Sequence, residues 1–82
     1  LMVRVGLPPS PEVAILFKEA APDVTRISVR TRPGGVDAVV LTGLFGGGGH
    51  ARAAGASVPA DVATARARVL PAAERLAAAV RR

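Results

Sequence analysis

Apolar and polar residues alternate in two stretches of the first half of the chain, a pattern typical of β-strands that bury one face. The first stretch covers Glu12–Glu19 and the second covers Thr25–Arg32. The turn-forming segment Ala21–Asp23 separates them, so we predict an antiparallel hairpin. On the second strand the predicted polar face carries Arg26, Ser28, Arg30 and Arg32.

The next apolar positions recur at helical spacing. They predict a short helix over Ala38–Phe45, for which Asp37 is a suitable N-cap. A run of glycines then interrupts the pattern. After it, His50–Ala54 is long enough for one helical turn, which Gly55 would end by adopting a left-handed backbone. Ala56–Val58 is predicted as a third strand.

The last third of the chain predicts one long helix. Asp61 is the candidate N-cap, and Pro71 should kink or split the helix near Leu70 because proline lacks the backbone N–H. The predicted order β-β-α-(short α)-β-α indicates an α+β domain with a small mixed sheet and two or three helices. We expect a single domain over residues 12–82, preceded over residues 1–11 by a proline-rich linker or truncated segment.

Charge favours an anionic partner. The 82 residues include eleven basic and six acidic side chains, a net charge of +5, and ten of the eleven cations are arginine. Arginine presents a planar fork of donors that matches phosphate. A compositional bias toward arginine in place of lysine would give the same total, so the positions of the arginines carry more information than their number. Those of the last helix, Arg66, Arg68, Arg75, Arg81 and Arg82, suit either a solvated face or a nucleic-acid contact.

Other classes of protein are disfavoured by composition. The chain has no cysteine, which excludes disulfides and thiolate metal sites and fits a reducing, cytoplasmic setting. No apolar run reaches the roughly 18–20 residues of a membrane span, so we expect no membrane contact. The only aromatic residues are two phenylalanines on predicted apolar faces, which leaves little for base stacking.

The four consecutive glycines Gly46–Gly49 are the strongest candidate for chemistry. Without Cβ atoms, such a segment can direct several N–H groups at one anion, and a following helix N-terminus would add its dipole. His50, next in sequence, could donate to the same anion. Ser28 and Arg30 lie about 7 Å apart on one face of the second strand and could grip phosphate oxygens. The alternatives are a flexible connector, a structural histidine and a merely solvated strand face.

Three segments, Ile27–Arg32, Val36–Asp37 and Phe45–Gly55, together resemble a known family. They are similar to the C-terminal DHH-associated domain of DHH-family phosphoesterases, in the subtype with a Gly-Gly-Gly-His motif. The resemblance is nearest to bacterial oligoribonucleases that degrade very short RNA and dephosphorylate 3′-phosphoadenosine 5′-phosphate. It extends from Glu12 to Val80, almost the whole chain after the linker.

The resemblance implies a substrate-binding domain that closes over a larger catalytic domain. The implied phosphate- and nucleic-acid-binding residues are Ser28, Arg30, Gly47, Gly48, Gly49 and His50, with Arg32 and Arg52 as secondary candidates. Two manganese ions and the Asp-His-His triplet belong to the catalytic domain, and no such triplet occurs here. We therefore expect no catalytic residue and no metal ligand in this chain.

The expected partners follow from the same resemblance. They are short RNA, short DNA or nucleotides, together with a catalytic DHH domain in the same chain or a partner chain. A stand-alone module that self-associates into a homodimer, with vestigial nucleotide binding, is the alternative. An enzyme complete in itself is the least favoured hypothesis, because one histidine and three scattered aspartates are too few for a two-metal site.

Overall fold

Every pair of neighbouring strands in the sheet runs antiparallel. The computed structural model describes residues 1–6 and 13–80. Five strands form one sheet in the order β1-β2-β3-β5-β4. They are β1 (Met2–Val5), β2 (Val13–Ala21), β3 (Val24–Thr31), β4 (Gly48–His50) and β5 (Ala53–Val58), and the helices are α1 (Ala38–Gly43) and α2 (Val62–Val80).

The predicted α+β class is confirmed, but the predicted mixed sheet is wrong. Two tight hairpins, β2–β3 and β4–β5, reverse the chain, and connections this short can join only antiparallel strands. Between the hairpins, α1 carries the chain back so that β5 also lies antiparallel to β3. The observed order is therefore β-β-β-α-β-β-α.

The β2–β3 hairpin is confirmed, with β3 ending one residue before the predicted Arg32. Its two-residue turn is Pro22–Asp23, and the pair Ala21 and Val24 closes it. Asp23 has a φ of 59°, in the left-handed region that short polar side chains tolerate. Proline and aspartate therefore supply the two backbone angles that this turn requires.

Strand β1 was missed by the sequence analysis, which assigned residues 1–11 to a linker or truncated segment. Met2–Val5 instead pairs with β2 at the edge of the sheet. The amide of Phe17 donates to the carbonyl of Leu1 at 2.8 Å, and the Leu1 ammonium donates to the Phe17 carbonyl at 3.0 Å. Four residues are too few to show alternation beside a proline-rich stretch. The remainder of the predicted linker, residues 7–11, lies outside the described residues.

One face of the sheet and both helices enclose the core. The buried strand residues alternate with exposed ones, as a sheet covered on one side requires. Helix α2 presents mainly small side chains to the sheet, which lets the helix approach the strands closely. Its buried residues are Ala65, Val69, Ala72, Ala73 and Ala77.

Helix α2 is continuous through Pro71, so of the predicted alternatives near Leu70, a kink or a split, the split is wrong. Pro71 is exposed, and so is Ala67 one turn earlier, so water can satisfy the carbonyl that proline leaves without a donor. The predicted cap is confirmed, since the Asp61 carboxylate accepts from the Thr64 amide at 2.7 Å. That backbone hydrogen bond, helped by the Thr64 hydroxyl, holds the pKa of Asp61 below its usual value.

Helix α1 has the predicted start and an earlier end. The Asp37 carboxylate accepts from the Val39 amide at 2.9 Å, which confirms the cap, but the helix stops at Gly43 instead of Phe45. The predicted helical turn over His50–Ala54 is wrong, because β4 and β5 form a hairpin there. A five-residue helix is marginal alone, whereas an extended segment can pair with the free edge of β3. No helix among the described residues combines the length and apolar composition that a bilayer crossing needs.

Thr25 ties β3 to the connection between β5 and α2. Its hydroxyl donates to the Ala60 carbonyl at 2.8 Å, and both residues are buried. Replacing it with valine removes the donor and leaves a buried carbonyl without a partner. We expect Thr25→Val to lower the free energy of unfolding by about 1–3 kcal/mol, measured by urea denaturation. Thr25→Ser keeps the hydroxyl and is the matched control; equal losses in both variants would assign the effect to packing.

Candidate nucleic-acid interface

The second face of the sheet is covered by neither helix. We call it the open face. It consists of the even-numbered residues of β1, β3 and β4, together with Ala14, Leu16 and Lys18 of β2 and Ala53, Gly55 and Ser57 of β5. Its members are exposed or half-buried, whereas most of the residues between them are buried. The open face is therefore the accessible surface on which a ligand can lie.

Strand pairing brings the two halves of the predicted phosphate site onto this face. Ser28 pairs with Gly55, which in turn pairs with Gly48. One row further along, Arg30 pairs with Ala53, which pairs with His50. Since neighbouring strands lie about 4.8 Å apart, the Cα atoms of residues on β3 and β4 in one row are separated by about 10 Å. The predicted shared face of Ser28 and Arg30 is confirmed, and it also carries Gly48 and His50, which the sequence left open.

Strand β5 forms a shallow floor between these groups. Ala53 and Gly55 are both small, so no large side chain of β5 stands between β3 and β4 in these rows. Arg30 and His50 are exposed, and Ser28 is half-buried. Among the described residues, the Arg30 guanidinium makes one hydrogen bond, to the carbonyl of Val29 at 3.2 Å. A ligand can therefore approach β5 near Ala53, with basic and hydroxyl donors on either side.

The four glycines do not form the predicted nest before a helix. The amides of Gly46 and Gly47 donate to the carbonyls of Gly43 and Thr42, at 3.2 and 2.9 Å. These two glycines thus complete the end of α1, and the segment continues as strand β4. No helix dipole acts at His50, because this residue lies in strand β4. The predicted contribution of a helix N-terminus to anion binding is therefore wrong.

Three of the four glycines have structural reasons to be glycine. Gly46 and Gly49 have φ values of 77° and 140°. A Cβ on Gly47 would lie 2.2 Å from the carbonyl oxygen of Gly55 and 2.5 Å from the Cβ of Ala56. Gly48 is different, because a Cβ there would meet nothing within 4 Å and its φ is not positive. The fold does not require glycine at position 48, the position that faces the open face.

The two secondary candidates lie outside the open face. Arg32 follows the end of β3 and is exposed. Arg52 occupies the β4–β5 turn, where its guanidinium donates to the Arg32 carbonyl. The same turn is held by its Ala51 carbonyl, which accepts from the Ala38 amide at 2.8 Å and from the Thr31 hydroxyl at 2.9 Å. Arg52 therefore braces the hairpin that carries His50.

The open face is basic. Among the described residues it carries four cations and no carboxylate, and the five described acidic side chains lie elsewhere. Without nearby carboxylates the positive charges are not neutralised within the face, which produces a local potential that attracts polyanions. The cations are Arg4, Lys18, Arg26 and Arg30.

The sequence pattern of the DHHA1 domain family matches residues 8–80. This chain belongs to the DHHA1 domain family. A DHHA1 domain is the accessory domain of DHH-family phosphoesterases and associates with a DHH catalytic domain. The resemblance to a DHH-associated domain inferred from the sequence is thereby confirmed. A search of curated proteins finds no match.

One residue on the open face of this DHHA1 domain was undervalued by the sequence analysis. Arg26 belongs to the same alternating set as Ser28 and Arg30, but its side chain crosses to β5. A Cβ on Gly55 would lie 2.7 Å from the Arg26 Nη2, so the guanidinium lies directly over that glycine. The sequence contained the alternation, but the pairing register that sets Gly55 beneath the arginine is visible only in the structure.

Metal-binding clusters are absent from the described part of this DHHA1 domain. Residues 1–6 and 13–80 contain no group of three His, Cys, Asp or Glu side chains close enough to hold an ion. The imidazole of His50 stands on the open face, which carries no carboxylate among the described residues. It is available there as a hydrogen-bond donor to a ligand.

Substitutions of the glycines in and just before β4 should distinguish an effect on folding from an effect on ligand access. We expect Gly47→Ala to lower the free energy of unfolding by roughly 1–3 kcal/mol, because its methyl group would overlap backbone atoms of β5. Gly48→Ala should leave stability unchanged or raise it slightly, since the site is open and alanine restricts the unfolded chain. Guanidinium denaturation followed by circular dichroism measures both. Equal destabilisation by the two substitutions would contradict this account of the glycine segment.

Proposed function

We propose that this DHHA1 domain is the phosphate- and nucleic-acid-binding domain of a DHH-family phosphoesterase and that its open face holds short oligonucleotides or nucleotides. The observation that carries the proposal is the register of β3, β5 and β4. It aligns Arg30 with His50 and Ser28 with Gly48 on one basic, accessible surface.

The side chains supply complementary donors for a phosphate. A guanidinium offers paired N–H groups that match two phosphate oxygens, while a hydroxyl and an imidazole each add a single donor. Arg30, Ser28 and His50 carry these groups, and Gly48 leaves the backbone open between them. Gly47 and Gly49 act through the fold, because they allow β4 to lie against β5.

The Gly-Gly-Gly-His motif is the basis for a more specific assignment of this domain. We infer the subtype with the Gly-Gly-Gly-His sequence, an oligoribonuclease-like substrate class and a cytoplasmic setting. Hydrolysis belongs to the catalytic domain, in the same chain or a partner chain, where two manganese ions would be bound. The described residues of this chain do not form a site for such ions. The role of this domain is to position the substrate.

Binding should depend on the aligned residues. We expect Arg30→Gln and His50→Ala each to weaken binding of a labelled two-to-five-nucleotide RNA several-fold to tenfold at low salt, because each removes a charged or polar donor to phosphate. Gly48→Ala should also weaken binding while the protein stays folded. Fluorescence anisotropy measures the affinities, and circular dichroism checks folding.

The matched control is Arg66→Gln, which removes one exposed charge from helix α2 on the other side of the sheet. Equal weakening by Arg66→Gln and Arg30→Gln would mean that only net charge attracts the RNA. In that case affinity should fall with salt to the same degree in every variant. Such a result would contradict a phosphate site at Arg30 and His50.

Self-association is the second candidate function, and one observation favours it. Val40 and Leu44 lie four positions apart at the end of α1 and are 49% and 62% exposed. Apolar side chains exposed together often mark contact surfaces. If this module dimerises through them, light scattering will show a dimer that Leu44→Ser dissociates. A monomer at high concentration in both proteins would exclude the self-associating module and leave the binding proposal intact.

A further inference from the structure

Arg26 occupies an unusual position for a surface arginine. Its guanidinium lies over Gly55 and, among the described residues, donates one long hydrogen bond, 3.4 Å, to the hydroxyl of Ser57. No carboxylate of the described residues belongs to the open face, so the charge is not neutralised there. Most of the five guanidinium N–H donors therefore remain available to a ligand.

The position is built into the sheet. A side chain at residue 55 would displace the guanidinium, since a Cβ there would come within 2.7 Å of Nη2. Gly55 is half-buried and has no positive φ that would require glycine. Because residue 55 has no side chain, the Arg26 guanidinium can lie over its backbone, and we call this position the cationic seat. On the far side of Arg26, Lys18 is its pairing partner on β2 and adds a second positive charge.

This cationic seat lies in the row of Ser28, Gly55 and Gly48, one row along the sheet from Arg30 and His50. Gly55 lies two residues along β5 from Ala53, the residue that links Arg30 and His50. Two residues of a strand span about 7 Å, so the seat and the Arg30 row are offset along the strand by that distance. This offset leaves room for one phosphate at each position. Successive phosphates of a nucleic-acid strand are held apart by one sugar, and such a pair of anions suits two offset cationic positions.

We propose that Arg26, seated on Gly55 and supported by Ser57 and Lys18, forms a second phosphate subsite. The open face then binds two phosphates of one single-stranded oligonucleotide, the first at Arg30 and the second at Arg26. This inference rests on the proposed function and deepens it, because it selects an oligonucleotide over a mononucleotide. The nucleoside between the two phosphates lies above the floor of β5.

The test compares one phosphate with two. Calorimetric titration of the 82-residue chain uses uridine 5′-monophosphate and the 5′-phosphorylated dinucleotide pUpU. We expect the wild type to bind pUpU about tenfold more tightly than the monophosphate. Arg26→Gln should abolish most of that difference and leave monophosphate binding unchanged. Arg30→Gln should weaken both ligands.

A second variant moves the charge without removing it. Gly55→Ala pushes away the flexible end of Arg26, so it should also reduce the preference for pUpU while net charge stays the same. Arg66→Gln is the control and should alter neither ligand by more than about twofold. For pUpU, the slope of log affinity against log salt should fall by about 0.7 in Arg26→Gln, the value for one lost phosphate contact on a single strand.

Several results would overturn the second subsite. Equal affinity of the wild type for the two ligands would do so, as would an Arg26→Gln effect that is the same for both ligands or absent from both. Failure of the proposed function has a different signature. Monophosphate binding that ignores Arg30→Gln would contradict the site at Arg30, whereas the Arg26 subsite is judged by the preference for pUpU. If neither ligand binds the wild type, both proposals fall.

Discussion

The pairing of β3 with β5 is the constraint on which the rest of this domain depends. It joins the N-terminal hairpin to the second half of the chain and sets Ser28 beside Gly55 and Arg30 beside Ala53. A slip of one residue would turn every side chain of β5 to the opposite face, which would bury glycine and expose Ala54 and Ala56. The same register that closes the core therefore also assembles the basic surface. A change in the pairing of these two strands would therefore affect both the folding of the domain and the candidate site.

The glycine segment shows how a single motif can combine two different requirements. Gly46, Gly47 and Gly49 meet the demands of backbone angle and of close approach between β4 and β5. Gly48 meets neither demand and lies on the accessible surface. The sequence alone suggests a uniform phosphate-binding loop. In the structure, three of the glycines allow strand β4 to form beside β5, and the fourth leaves the accessible surface of that strand without a side chain. The amides expected to surround an anion are partly used at the end of α1.

The sequence was sufficient to predict those elements whose structure is determined by residues close together in the chain. The alternation of β2 and β3, the Pro22–Asp23 turn and both aspartate caps were predictable because each depends on residues only a few positions apart. The hairpin of β4 and β5 was not predictable in this way, since its extended form depends on the open edge of β3. Strand β1 was missed because four residues beside a proline-rich stretch are too few to show alternation. The shared face of Ser28 and Arg30 came from alternation alone, whereas the seat of Arg26 on Gly55 needed the register.

The separation of charge in this domain has a consequence for how it meets a ligand. Four described cations share the open face with no described carboxylate, whereas the described arginines of α2 are offset by Glu74 and by the aspartates that cap the two helices. Such an arrangement gives the molecule an electric dipole directed through the sheet. In the field of a polyanion the domain would rotate before contact, so that the face and not the helices arrives first. Productive encounters then become a larger share of all collisions, and the speed of capture is set by orientation as much as by the strength of the final hydrogen bonds.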